Sequence, residues 1–245
     1  MIHSEICVII PTFNNAGTLA AVIDSVLQYA TKIVVVNDGS TDATNEILFS
    51  YKDKIKIISY THNRGKGFAL KCGFNFAHER GCRYALTIDS DGQHFADDIP
   101  LFLNAVEKDP DALIVGNRNL TQKNMPKKNS FANRFSNFWF TVQTGTKLPD
   151  TQTGFRLYPL KKMGKLRPFT SRYETELEIL VRCAWRGIKV VSLPIRVYYP
   201  PEEERVSHFR PGVDFLRISL LNTLFCFLAL FYGYPAKLVR YLVEK

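Results

Sequence analysis

Short apolar runs that end in polar residues alternate along this chain with stretches of helical periodicity. The apolar runs occupy residues 6–10, 33–36, 55–60, 84–88 and 112–116. Strands that alternate with helices of about 10–15 residues are typical of a mainly parallel sheet with helices on both faces. The sequence therefore predicts an α/β fold, and in such folds ligands bind where the strands end.

The run at residues 84–88 ends in two carboxylates, Asp89 and Asp91, and Gln93 follows. Carboxylates at a strand end can converge on one hard divalent cation, which takes oxygen ligands and often completes its shell with substrate phosphates. Asp, Ser and Gly also favour turns, so this segment alone leaves a simple turn open. A site is favoured because other predicted strand ends carry polar groups too, at residues 38, 63–66, 117 and 118.

The phosphate-binding patterns of two large enzyme classes do not occur in the sequence. No Gly-x-Gly-x-x-Gly follows the first strand, and no Gly-x-x-x-x-Gly-Lys-Ser/Thr loop is present. A dinucleotide-dependent dehydrogenase and a P-loop phosphotransferase are therefore disfavoured. A nucleotide with metal-bound phosphates remains, held at Asp89 and Asp91, with Asp38 free to accept hydrogen bonds from a base or ribose.

The charge of the chain indicates an anionic partner. The formal net charge is +9 over 245 residues, which fits nucleic acid, a membrane surface or phosphate-bearing substrates. Nucleic acid is not expected, because the positive charge lies beside aromatic residues and an apolar tail, with no recognisable RNA or DNA module. The five cysteines lack Cys-x-x-Cys spacing and indicate reduced thiols rather than disulfides or a zinc site.

Six motifs stand in the order seen in family 2 glycosyltransferases. They are PTFN at 11–14, VNDGS at 36–40, NRGKG at 63–67, DSDGQ at 89–93, GNR at 116–118 and DTQTGFR at 150–156. Residues 4–210 resemble this family, and most of all the subgroup that makes dolichyl- or polyprenyl-phosphate mannose or glucose. The resemblance implies the GT-A fold, a nucleotide-sugar donor (UDP- or GDP-linked) and a divalent metal, Mg²⁺ or Mn²⁺.

The resemblance also assigns roles to individual residues. It assigns the nucleotide to Pro11, Thr12, Asn14, Asp38, Lys66 and Asp89. It assigns the metal and the diphosphate to Asp89, Asp91 and Gln93. It assigns the acceptor to Arg118, Arg134, Asn137 and Ser207. Asp91 also counts as catalytic, together with Arg205 and His208 of a late loop, which would stabilise the charge on the departing diphosphate.

Two acceptor classes stay open. Residues 112–149 contain no acidic residue but carry bases and a run of aromatics, which fits a phosphate on an apolar tail at a membrane. The alternative is a hydroxyl of a glycolipid or polysaccharide, with Glu176 or Asp150 as general base. A loop aspartate such as Asp150 more often caps the backbone. Glu174 and Glu178 are expected to be surface charges.

A different enzyme class, the sugar-phosphate nucleotidyltransferases, shares a related nucleotide-binding architecture. It would need a glycine-rich loop with an arginine and a lysine after the first strand, and residues 11–17 contain neither base. This alternative is therefore disfavoured.

The last part of the chain is apolar. Residues 218–234 carry no charge and would extend about 25 Å as a helix, which is short of the ~30 Å hydrocarbon core of a bilayer. A full span, packing on the protein's own core, and a monotopic or re-entrant helix are all open, and the last is favoured. We expect a glycosyltransferase domain at residues 1–210, a membrane-associating tail at residues 211–245, and a location on the cytoplasmic face of the membrane.

Overall fold

The computed structural model describes residues 5–118, 127–164, 167–199 and 211–243. Within them the strands form one seven-stranded sheet in the order β3-β2-β1-β4-β6-β5-β7. The strands are β1 (Ile6–Thr12), β2 (Ile33–Asn37), β3 (Lys56–Ser59), β4 (Tyr84–Thr87), β5 (Leu113–Arg118), β6 (Arg156–Pro159) and β7 (Val190–Ile195). Only β6 runs against its neighbours β4 and β5, so the predicted α/β fold with a mainly parallel sheet is confirmed.

Helices cover both faces of this sheet. They are α1 (Ala16–Leu27), α2 (Thr44–Ser50), α3 (Lys66–Glu79), α4 (Ile99–Lys108), α5 (Lys127–Thr144), α6 (Leu160–Met163), α7 (Glu174–Trp185), α8 (Pro211–Leu228) and α9 (Tyr234–Val243). The central strands are buried on both faces, which explains their unbroken apolar sequence. Successive β1 side chains alternate between two cores: Ile9 packs with α3 and α7, and Val8 packs with α1 and α4.

The C-terminal helix is longer than the uncharged stretch suggested. It runs continuously over Gly212–Val243, 32 residues or about 48 Å. A π-helical turn at Ala229–Gly233 precedes Pro235, which lies in the first turn of α9. This placement lets the helix continue, because a proline at a helix start has no N–H that the turn before it must satisfy.

One narrow side of this helix packs on the domain. Leu221, Phe225 and Ala229 are buried in the same core as α5 and α7. The wider side is exposed and apolar, and Phe231 is 81% exposed. The division of the chain at residue 210 stays a prediction.

Candidate active site

Polar side chains from several elements meet at one edge of the sheet. Asp38 directly follows β2, Asp89 comes shortly after β4, and Arg118 ends β5. Lys66 is the first residue of α3, which begins after the loop that follows β3. These elements meet because the carboxyl ends of parallel strands lie at the same edge.

Lys66 bridges two carboxylates at the centre of this edge. Its Nζ lies 2.6 Å from Asp89 Oδ1 and 2.9 Å from Glu176 Oε2. Burial acts to lower the pKa of Lys66, but the two carboxylates outweigh it and raise that pKa above its usual range. Burial likewise acts to raise the pKa of Asp89, and Lys66 overcomes it and holds that pKa below the ordinary value. The ammonium of Lys66 and the carboxylate of Asp89 are therefore both charged at neutral pH.

Asp91 is the second carboxylate of the strand end. Burial and the neighbouring charge of Asp89 raise the pKa of Asp91 to about 6. Its Oδ1 accepts a hydrogen bond of 3.0 Å from the backbone N–H of Gln93. Two carboxylates that repel each other in a buried site gain from a divalent cation between them, and oxygen ligands suit Mg²⁺ or Mn²⁺.

The predicted metal ligands fit such a cation but do not enclose it. Across the described ranges, no group of three or more His, Cys, Asp or Glu side chains is placed to hold a metal ion. Asp89 and Asp91 would supply the charged ligands and Gln93 a neutral oxygen. The remaining positions would be filled from outside the chain, by water or by phosphate oxygens.

Gly154 leaves room for the cluster that Lys66, Asp89 and Glu176 form. A Cβ at this position would lie 2.8 Å from Lys66 Nζ and closer still to Asp89 Oδ2. Thr87 in β4 fixes the position of the glycine, because its hydroxyl donates to the Gly154 carbonyl at 2.6 Å.

We expect Gly154→Ala to lower kcat by about 100-fold, because the added methyl displaces Asp89 or Lys66 from the cluster and small misplacements are costly. Steady-state kinetics at saturating donor would measure this loss. Gly17→Ala is the matched control, since a Cβ there meets no atom within 4 Å. Equal activity of the two variants would contradict a catalytic role for the Lys66 and Asp89 side chains that Gly154 faces.

The predicted nucleoside pocket is built around Asp38. Its carboxylate accepts hydrogen bonds from Asn63 Nδ2 (2.9 Å) and from the backbone N–H groups of Arg64 (2.7 Å) and Gly65 (2.8 Å). Asp38 is therefore not free, contrary to the expectation, because it fixes the loop that leads into α3. A nucleoside contact of Asp38 stays a prediction and would have to use its remaining lone pair.

The residues after β1 join this pocket. Asn14, in a left-handed conformation (φ 51°), accepts a hydrogen bond of 2.8 Å from the Thr41 backbone N–H. It thereby fixes the loop after β1 to the loop after β2. Pro11 and Thr12 are buried at the end of β1, and the Thr12 hydroxyl has no hydrogen-bond partner among the described residues. An unpartnered buried hydroxyl at a strand end is open to a ligand.

Arg118, whose side chain is 16% exposed, pairs with the buried Asp150 beside the carboxylates. Arg118 donates from Nε to Asp150 Oδ2 (2.7 Å) and from Nη2 to Oδ1 (3.0 Å). Asn133 Nδ2 and the Gln152 backbone N–H also donate to Asp150 Oδ1. Burial acts to raise the pKa of Asp150, but Arg118 outweighs it and holds that pKa below its usual range. This geometry favours a positioning role for Asp150 over the predicted role as a base.

The other predicted acceptor residues differ in exposure. The Asn137 amide donates to the Pro149 carbonyl (2.6 Å) and accepts from the Thr151 backbone N–H (2.9 Å), so it fixes the loop that holds Asp150. Arg134, one turn earlier on α5, is exposed. Arg205, Ser207 and His208 lie outside the described residues, so their predicted roles stay predictions.

All three acids of α7 are buried. Glu176 is 7% exposed, and its Oε1 has no partner among the described residues, although Oε2 binds Lys66. The expectation that Glu174 and Glu178 are surface charges is wrong, because α7 is covered on nearly every side. Glu178 is fully buried, where it accepts from the backbone N–H groups of Phe169 and Thr170 and pairs with Arg182.

Sequence reasoning gave no role to His94 or Tyr173, and the structure places both at the cluster. Burial lowers the pKa of His94 to about 4, and Asp89, Arg118 and Lys66 are among the charges that act on this ring. Burial also raises the pKa of the Tyr173 phenol, which lies in the field of Lys66 and Asp89. His94 follows the carboxylate motif directly, which was a usable signal, whereas Tyr173 stands in a loop with none.

Comparison with protein families decides what kind of protein this site belongs to. Residues 7–166 match the model of the family described as Glycosyl transferase family 2. The chain belongs to glycosyltransferase family 2. The enzyme class predicted from the six motifs is thereby confirmed.

This glycosyltransferase is similar to relatives that are named for lipid-phosphate acceptors. It is 27% identical to UDP-N-acetylglucosamine–dolichyl-phosphate N-acetylglucosaminyltransferase of Methanococcus voltae, over 81% of this chain and 88% of the relative. It is 28% identical to polyprenol monophosphomannose synthase of Mycolicibacterium smegmatis, over 77% of this chain and 75% of the relative.

The GT-A fold of this glycosyltransferase is also confirmed. Its structure is similar to glucosyl-3-phosphoglycerate synthase from Mycobacterium tuberculosis, crystallised with Mn²⁺, uridine diphosphate and phosphoglyceric acid. The TM-score is 0.68 at 18% identity, and the match covers 91% of this chain and 78% of that protein.

Proposed function

We propose that this glycosyltransferase moves one sugar from a UDP- or GDP-linked donor to polyprenyl phosphate at the cytoplasmic face of the membrane. One observation carries the proposal: the carboxylate pair Asp89/Asp91 and the guanidinium of Arg118 lie at the same sheet edge, beside helices with exposed apolar faces. The relatives named for dolichyl phosphate and for a polyprenol monophosphate sugar support the same acceptor class.

On the donor side, Asp89, Asp91 and Gln93 would hold a divalent cation beside the diphosphate. When bound, this cation supplies Lewis-acid neutralisation of the charge that builds on the leaving diphosphate. A cation at this position is supported by the structurally similar synthase, which was crystallised with Mn²⁺ and uridine diphosphate. Lys66 stands 2.6 Å from Asp89 and adds a fixed positive charge beside the same phosphates.

On the acceptor side, Arg118 binds the lipid phosphate. Asp150 accepts hydrogen bonds from Nε and Nη2 of its guanidinium and fixes the plane of the group, so the Nη1 side is available to an anion as far as the described residues are concerned. Arg134 is exposed on α5 and supplies a second cation for the same phosphate. The roles predicted for Arg205 and His208 at the diphosphate and for Ser207 at the acceptor stay part of the proposal, and these residues lie outside the described part of the chain.

The lipid chain of the acceptor fits an apolar groove between α5 and α8. This groove has a volume of about 280 Å³, and the described residues that line it, which include Phe135, Trp139 and Phe227, carry no charge. Phe135 follows Arg134 on α5, so a phosphate held by that arginine would place its chain near the groove. Phe131 and Phe138 are exposed on the same helix, 62% and 59%.

The C-terminal helix provides the membrane contact. By length and composition, Gly212–Val243 is the one helix in the described part of the chain that could cross a bilayer. It lies along the domain, however: Asn222 bonds Gln143 of α5, and Phe225 packs on Trp185 of α7. We therefore favour a monotopic helix with its exposed apolar side in the membrane–water interface. The basic residues of this helix suit an anionic cytoplasmic leaflet.

The reaction follows from these placements. An oxygen of the acceptor phosphate attacks the anomeric carbon of the sugar as the bond from that carbon to the diphosphate oxygen breaks. Attack from the face opposite the diphosphate inverts the configuration. A phosphate acceptor is already an anion and needs no general base, which agrees with Asp150 being fully engaged by Arg118 and Asn133.

The test is a donor and acceptor screen in detergent. UDP-glucose, UDP-galactose, UDP-N-acetylglucosamine and GDP-mannose would each be offered with polyprenyl phosphate or with polyprenol, with and without Mn²⁺. We expect metal-dependent transfer from at least one donor to polyprenyl phosphate and none to polyprenol. Equal transfer to polyprenol, or no transfer from any donor, would overturn the assignment.

A hydroxyl acceptor remains the second candidate, because Glu176 keeps one unpartnered buried oxygen at the cluster. Glu176→Gln separates the two. With a phosphate acceptor, kcat should stay within about tenfold of wild type, because the amide oxygen of the substituted side chain still accepts from Lys66. With a hydroxyl acceptor, loss of the base should cost about 10²–10⁴-fold and remove the acidic limb of the pH–rate profile.

A further inference from the structure

A second groove borders the C-terminal helix on the side opposite the proposed acceptor groove. It lies between α7 and α8 and has a volume of about 330 Å³. We call it the arginine groove, because Arg167, Arg182 and Arg186 line it together with Phe225, Leu228 and Tyr232. The acceptor groove carries no charge in its described lining, so the two sides of α8 present different chemistry to a membrane.

The positive charge of the arginine groove is only partly neutralised. Arg182 pairs with the buried Glu178 at 2.8 Å. Arg186 donates from Nη1 to the neutral Met163 carbonyl, and Arg167 is exposed. Neither Arg167 nor Arg186 forms an ion pair with any residue that the structure describes. Two guanidinium groups are therefore available to an anion at the rim.

The floor of the arginine groove is apolar and joins the exposed side of the helix. Phe225 is 1% exposed and packs against Trp185 at a ring distance of 5.3 Å. Leu228 and Tyr232 are 36% and 56% exposed and also belong to the outer apolar side of α8 and the π turn. A ligand here would meet guanidinium groups at one end and an aromatic and aliphatic surface at the other.

We infer that the arginine groove binds an anionic phospholipid of the bilayer, separate from the lipid acceptor. The lipid phosphate would lie against Arg167 and Arg186, since a guanidinium group can donate two parallel hydrogen bonds to phosphate oxygens. Its acyl chains would lie along Phe225 and Leu228, with Tyr232 at the headgroup level, where aromatic residues concentrate. The inference rests on the membrane contact in the proposed function and adds the class of lipid that the enzyme selects.

Charge complementarity selects this occupant over others. A zwitterionic lipid places a choline cation beside the same arginines, so its phosphate is bound less favourably. A soluble phosphate would not use the apolar floor. The lipid acceptor is assigned to Arg118 and Arg134, which belong to the elements on the α5 side of the helix.

The two tryptophans of the chain allow a direct test, because Trp185 lines the arginine groove and Trp139 lines the acceptor groove. In a Trp139→Phe background, Trp185 emission would report the titration with dihexanoyl-phosphatidylglycerol or dihexanoyl-phosphatidylcholine below their micelle concentrations. We expect a saturable change with the anionic lipid and at least about tenfold weaker binding of the zwitterionic one.

A double variant tests the arginines. Arg167→Gln with Arg186→Gln should weaken phosphatidylglycerol binding about 25-fold, since each cation near a lipid surface contributes roughly fivefold. Lys54→Gln with Arg80→Gln removes the same charge at a distant basic surface and should leave binding unchanged. Arg182 is left intact because it pairs with Glu178, and thermal unfolding would check that both double variants are folded.

The possible results separate this inference from the proposed function. Equal binding of the two lipids, or equal loss in the two double variants, would overturn a specific site. Sugar transfer in detergent is expected to be normal in both double variants, so failure of the lipid site would leave the proposed reaction standing. Failure of transfer with intact lipid selectivity would instead refute the proposed reaction alone.

Discussion

Replacing Asp89 and Asp91 together by asparagine is expected to lower kcat by about 10³-fold or more, with little change in folding stability. The two carboxylates are the only charged ligands that the strand end offers to a divalent cation. Without them, the charge on the departing diphosphate is left to Lys66 and the arginines. Initial rates at saturating donor and Mn²⁺ would measure the loss.

Two comparisons make this result specific. Asp53→Asn makes the same type of substitution at an exposed position and should leave kcat unchanged. Asp91→Glu keeps the charge, so it should retain more activity than the double variant. Full activity in the double variant would show that the donor phosphates are bound elsewhere.

Asp150→Asn is expected to lower the free energy of unfolding by about 3–5 kcal/mol at pH 7, because it leaves the largely buried Arg118 without its counter-ion. Asp150 is 1% exposed, and the amide cannot reproduce the bidentate pair. Urea denaturation of the two proteins would measure the difference. Asp109→Asn, which breaks the exposed pair with Lys189, should cost under about 1 kcal/mol.

The effect of Asp150 should depend on pH in a defined direction. Burial acts to raise the pKa of Asp150, but Arg118 holds it below the ordinary value. A carboxyl with a lowered folded-state pKa stabilises the protein fully above its unfolded pKa of about 3.9, and loses that contribution as pH falls through the folded value. The difference in the free energy of unfolding between wild type and Asp150→Asn should therefore be constant above about pH 5 and become smaller below about pH 4. A small, pH-independent difference would contradict the buried ion pair.

Much of this architecture follows from local sequence pattern. The apolar runs predicted the central strands, since strands buried on both faces have no polar alternation. The polar residues at their ends predicted the edge where Asp38, Asp89 and Arg118 meet. The antiparallel orientation of β6 was not predictable from local pattern. It depends on how β6 pairs with β4 and β5, the two strands on either side of it.

The partners of individual side chains were beyond local pattern. Glu174 and Glu178 stand two positions from Glu176 on either side, a spacing that spreads them around a helix. Their burial depends on the neighbours of α7, such as the backbone at Phe169 that donates to Glu178. Asp38 was predicted to be free, and Asp150 was left between a general base and a backbone-capping residue; long-range donors engage both of them.

The length of the C-terminal helix shows the same limit. The uncharged stretch taken from the sequence, residues 218–234, ends before Pro235, whereas the helix continues to Val243. The π turn before Pro235 and the contacts of Phe225 and Tyr232 with Trp185 make this possible. These contacts also explain why the helix lies along the domain instead of standing apart from it.

An anomalous difference map from crystals grown with Mn²⁺ and UDP or GDP would test the donor site most directly. We expect a single strong peak per chain, with one carboxylate oxygen of Asp89 and one of Asp91 about 2.0–2.6 Å away and nucleotide phosphate oxygens completing the shell. A peak that neither carboxylate touches, or bound nucleotide with no peak beside its phosphates, would contradict the account.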